Sequence, residues 1–120
     1  MMPWPFSRNG AAFIRVEVTN SDGNRINYSN NGEFLEKGCH LKFTAITGVK
    51  GDFVVKWQIT NTGDEAARND CLRGGFYDSD INRLTRTETT QYSGTHSVQC
   101  FIIKKSVCVA KSDLYIVNVI

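Results

Sequence analysis

Within seven consecutive residues, Cys71-Leu72-Arg73-Gly74-Gly75-Phe76-Tyr77, the sequence gathers a permanent cation, two positions without side chains and two aromatic rings. Arg73 can fork onto a phosphate, Gly74 and Gly75 let backbone N–H groups approach it, and Phe76 or Tyr77 can stack on a base. Together they would form a phosphate-and-base pocket. The same residues also fit a strand with a glycine bulge, its Phe in the core and its Arg in solvent. The sequence leaves both readings open.

A second candidate is Gly94-Thr95-His96, with Tyr92 just before it. His96 could donate to a ligand or carry a proton, or simply bond to backbone near the edge of a sandwich. No nucleophile on a strained turn and no positioned carboxylate completes a catalytic set around it. Asp78-Ser79-Asp80 resembles a metal-binding carboxylate pair only superficially. It lacks the phosphate-binding Gly-Ser segment such pairs face, and turn capping is the simpler role.

The four cysteines, Cys39, Cys71, Cys100 and Cys108, show neither C-x-x-C nor Cys/His zinc spacing, so no metal or other cofactor is expected. Cys39 and Cys100 share the inward parity of Leu41 and Val98. A bridge between sheets is conceivable, but reduced, buried thiols are the expectation without a secretion signal.

The elements that must hold these residues are strands. Phe53, Val55, Trp57 and Ile59 alternate with polar or small partners through residues 52–62, until Asn61-Thr62-Gly63 breaks the run. His96, Val98, Cys100 and Ile102 do the same within residues 92–104. Ile14, Val16 and Val18, then Leu41, Phe43 and Ala45, mark two more half-buried strands. Between these lie turn clusters at residues 21–24 and 29–32.

Residues 61–82 are rich in Gly, Asp and Asn with no sustained period, and are the natural place for function. Residues 83–90 form a Thr-rich strand whose charges suggest an exposed or edge position. Residues 101–109 read as a hairpin turning at Lys104-Lys105-Ser106, and residues 114–120 as a last strand. Trp4 and Phe6, with Pro3 and Pro5, make an apolar arm that packs across the sandwich or marks a docking point.

Regular strand spacing with almost no helical periodicity predicts an all-β, immunoglobulin-like two-sheet sandwich. At 120 residues the chain is read as one domain, residues 1–120. A net charge of +2 and dispersed lysines argue against a nucleic-acid surface. No apolar run reaches the roughly 20 residues needed to cross a bilayer, and no secretion signal opens the chain, so a cytoplasmic setting is expected and a membrane partner is not.

The runs L-K-F-T-A-I-T (residues 41–47), V-K-W-Q-I-T-N-T-G-D-E-A (55–66), L-R-G-G-F-Y (72–77), T-x-Y-S-G-T-H-S-V-Q-C-F-I-I-K (90–104) and C-V-A-K-S-D (108–113) occur in this order. This succession resembles the adenylyl/guanylyl cyclase and second-messenger nucleotidyltransferase C-terminal sensor domain. The resemblance covers most of the chain and is weakest before Leu41. It implies a non-enzymatic module that senses a nucleotide or another infection-linked ligand and regulates a nucleotidyltransferase or cyclase domain, in cis or in trans, in bacterial antiphage defence.

Trp57, Asn61, Arg73, Gly74, Gly75, Phe76, Gly94, Thr95 and His96 match the motif positions. With Tyr77 and Tyr92 added from the residue reading, the expected ligand-binding set is Arg73, Gly74, Gly75, Phe76, Tyr77, Tyr92, Thr95 and His96. The alternative is a structural or interaction sandwich that pairs with a partner through the exposed strand at residues 83–90, with self-association allowed.

Overall fold

Alternation of apolar and polar residues buries one face of a strand and leaves the other in water. The computed structural model, which describes residues 2–61, 63 and 75–120, is built from such strands. They are β1 (Ala12–Thr19), β2 (Arg25–Ile26), β3 (His40–Thr47), β4 (Val54–Thr60), β5 (Phe76–Asp78), β6 (Thr85–Thr89), β7 (Gly94–Lys104), β8 (Val107–Lys111) and β9 (Tyr115–Val119). Every strand anticipated from periodicity is present among the described residues. The two-residue β2, too short to carry a pattern, was not foreseen.

One sheet runs β2-β1-β3-β6 and the other β5-β4-β7-β8, with β9 also against β7. Every strand pair is antiparallel. Since β4 occupies one edge of β7, β8 and β9 must share the other, facing its second and first halves respectively. Ser112 joins them: its amide donates to Cys100 O at 3.0 Å, and its hydroxyl accepts from Cys100 N at 3.0 Å. The ladder therefore continues across the break.

The inner faces of the two sheets meet around Phe43 and Trp57, both 0% exposed. Phe43 lies 6.4 Å from Trp57 and edge-on to Tyr115 at 5.9 Å, centroid to centroid, an offset arrangement that aromatic quadrupoles favour. The two-sheet sandwich expected from the sequence is thus present. Cys39, Cys100 and Cys108 are buried as free thiols. Burial pushes the Cys100 thiol up to about 11 and raises that of Cys108 as well, so both remain protonated at neutral pH.

The outer face of the β7 sheet is covered too. Phe101, Ile103 and Cys108 form a second buried cluster, against which Met2, Trp4 and Phe76 pack. The arm that places Trp4 there runs parallel to β8: Cys108 N donates to Pro5 O, Ser7 N to Cys108 O and Asn9 N to Val109 O. Of the two roles considered for the arm, packing is the one seen.

Open edges are closed by side chains. Asn30 Nδ2 donates to Leu114 O while its Oδ1 accepts from Ile116 N, and Asn118 Nδ2 donates to Asn31 Oδ1 and Gly32 O. The turn at residues 29–32 is thereby stapled along β9, with Asn31 in the left-handed conformation (φ 57°) that asparagine tolerates. No helix among the described residues is long and apolar enough to cross a membrane.

Candidate functional site

Strand alternation separates the two aromatics of the Arg-Gly-Gly-Phe-Tyr run. Tyr77 pairs with Trp57 and Phe76 with Gln58, so the two rings point to opposite faces of the sheet. Phe76 goes outward, edge-on to Trp4 at 5.0 Å and to Phe101 at 5.3 Å. Tyr77 goes inward, with the Arg86 guanidinium 5.1 Å from its ring centre. Arg73 and Gly74 lie outside the described residues; Gly75 is described and places its carbonyl 3.4 Å from the amide of Ile59. The single loop pocket in which Phe76 and His96 would face one ligand is not formed, because Phe76 lies on the outer face and His96 on the inner.

Tyr92 and His96 do come together. They line a recess of about 60 Å³ between the sheets, floored by Leu41, Phe43, Ile59, Val98 and Val117 and rimmed by Asn61, Glu88, Thr89 and Gln91. His96 Nε2 lies 2.8 Å from Tyr92 O. A carbonyl only accepts, so Nε2 carries the proton. Thr95 turns elsewhere and donates from Oγ1 to Asn118 Oδ1 at 3.0 Å, which makes it part of the β9 staple.

Glu88 reaches this rim because β6 turns its charges inward. The register pairs Arg86 with Phe43 and Glu88 with Leu41, both core residues. The charges on this strand suggested an exposed or edge position; it is indeed an edge strand, but Arg86 and Glu88 sit in the mouth of the sandwich, their side chains 21% and 15% exposed and 2.8 Å apart. Arg86 also donates to Asp78 O at 3.1 Å. Glu88, Thr89 and Gln91 were missed as rim residues. The only available signal was parity, and on this strand a threonine face looks as ready for water as a charged one.

Asp78, Ser79 and Asp80 are occupied structurally. Asp78 pairs with Lys56, and Ser79 Oγ accepts from Trp57 Nε1 at 2.9 Å. Asp80 accepts from Thr87 N at 3.0 Å and Thr87 Oγ1 at 2.6 Å. Partial burial alone would raise the Asp80 carboxyl, but these bonds, the Ile81 amide and the Arg86 charge outweigh it, and the group is lowered. Among the described residues no three His, Cys, Asp or Glu side chains are placed to hold a metal.

The recess stands at the root of the stretch between Asn61 and Gly75. Gly63 closes against the entrance of β7: its φ is +106°, and a Cβ there would meet Ser93 O at 2.9 Å, so glycine is required. Over its full length, residues 1–120, the chain matches the Adenylyl/Guanylyl and SMODS C-terminal sensor domain. The chain belongs to this family. No curated protein and no solved structure matches it. The family is described as a sensor domain, not a catalytic one, and its description ties it to cyclase- and nucleotidyltransferase-type proteins. For this sensor domain, the recess beside His96 is where two residues of the expected set, Tyr92 and His96, share one concave surface.

Proposed function

We propose that this sensor domain is non-catalytic, that it recognises a nucleotide or another infection-linked ligand, and that it regulates a cyclase or nucleotidyltransferase domain, in cis or in trans, in cytoplasmic antiphage signalling. One observation carries the reading. A polar rim of Asn61, Glu88, Gln91, Tyr92 and His96 converges over an apolar floor, the composition of a small-ligand site.

Size constrains how the ligand engages. About 60 Å³ is room for roughly two water molecules, so the recess takes one functional group of the ligand. The Glu88 carboxylate, already neutralised by Arg86, suits the N–H edge of a base better than a phosphate. In this reading Arg73, which the sequence offers as the phosphate-binding cation, provides the phosphate contact.

Titration calorimetry with a panel of cyclic and linear nucleotides tests the proposal. Binding that His96→Ala and Arg73→Ala each weaken is the expected result. No heat with any member, or binding indifferent to both substitutions, would count against it.

A second reading, partner pairing along β6, is favoured by that strand's place at the sheet edge. It is opposed by Asp80, whose carboxylate already occupies the outward amide of Thr87 and blocks an added strand there.

A further inference from the structure

Where residues 6–11 pass from the β8 edge to the start of β1, they wall a hollow of about 560 Å³. That is within the range of roughly 300–1,000 Å³ typical of small-ligand sites. Phe6, Phe13 and Leu114 line it while 43%, 65% and 50% exposed. Large apolar side chains left open together mark a binding surface more often than chance exposure.

The charges in the hollow are uneven. Arg8 and Lys111 line it, and Asp113 is its only acidic residue. Lys111 Nζ is held 5.0 Å from the centre of the Phe6 ring. Neither Arg8 nor Lys111 is in an ion pair with a described residue. The hollow of similar size over β3 and β6 differs, since two carboxylates, Glu17 and Glu88, line it beside Lys42 and Arg86, and Arg86 is already held by Glu88.

We infer that the hollow between the N-terminal arm and β8 is a second ligand site, and that it takes a phosphate-bearing nucleotide. Arg8 and Lys111 hold the phosphate, and the ring of Phe6 or Phe13 carries the base. Asp113 accepts from a sugar hydroxyl or a base N–H, which distinguishes a nucleotide from bare phosphate. The inference stands on residues separate from the recess beside His96.

The test is an amide-shift titration of the 120-residue chain with GMP, AMP, guanosine and inorganic phosphate. Either nucleotide should move the amides of Gly10, Phe13 and Lys111, with guanosine and phosphate binding more weakly. Arg8→Gln combined with Lys111→Gln should weaken nucleotide binding by at least about tenfold, and Phe13→Ser by at least about fivefold, with the unfolding midpoint unchanged because these side chains are exposed. Added salt should weaken binding.

Nucleotide shifts confined to Asn61, Tyr92 and His96 would overturn this site and leave the proposed function standing. Binding here that ignores both sets of substitutions would overturn it as well. Shifts at neither place with either nucleotide would overturn this site, while the proposed function is decided by its own calorimetric panel.

Discussion

Trp57 and Ser79 show how one polar atom governs a buried side chain. The indole sits at 0% exposure and its Nε1 bonds to Ser79 Oγ, so the loop after β5 satisfies the core. Ser79→Ala leaves that donor unpaired, and a loss of about 1–3 kcal/mol is expected in urea unfolding, larger than for an exposed serine such as Ser21. Cys100 sets an alkaline limit. Its folded value of about 11 lies above the ordinary thiol value of 9.0, so its contribution is whole below pH 9 and is lost as pH rises toward 11, on the order of 3 kcal/mol in all. Denaturation curves taken from pH 7 to 11 should show that slope, and Cys100→Ala should flatten it.

Edge strands concentrate the risk at the level of elements. Among the described residues β6 pairs with β3 alone, and it is protected by Asp80 on the Thr87 amide and by Arg86 and Glu88 turned inward, devices that discourage strand addition. Asp80→Ala should therefore promote self-association, read as a rise in mass by light scattering. The same carboxyl, lowered in the fold, contributes stability that is complete above its unfolded value of about 4 and is lost as pH falls through the folded one. An acid titration should show Asp80→Asn losing less than wild type over that window. Arg86 and Glu88 also explain why this element was only half legible. Composition pointed to an exposed or edge position for this strand, whereas the direction of its charges depends on its register with β3, which only the assembled sheet defines.

For the molecule as a whole, Phe43 is the residue on which the two sheets agree, since it touches Trp57 and Tyr115 from the opposite layer. Phe43→Ala should cost about 3–5 kcal/mol. That is a large share of a typical domain's 5–15 kcal/mol, so near-UV circular dichroism and the unfolding midpoint should both drop sharply. The sequence by itself determined the longer strands, the inward set Val55, Trp57, Ile59, Val98 and Cys100 and the family, because alternation and motif order are properties of neighbouring residues. Only the tertiary structure decided that Phe76 packs against Trp4 on the outer face, away from His96, that Glu88 joins the recess, and that Arg8, Lys111 and Phe6 line one hollow. Those are meetings between segments far apart in the chain, brought about by which strands pair and in which register, and no local pattern encodes them.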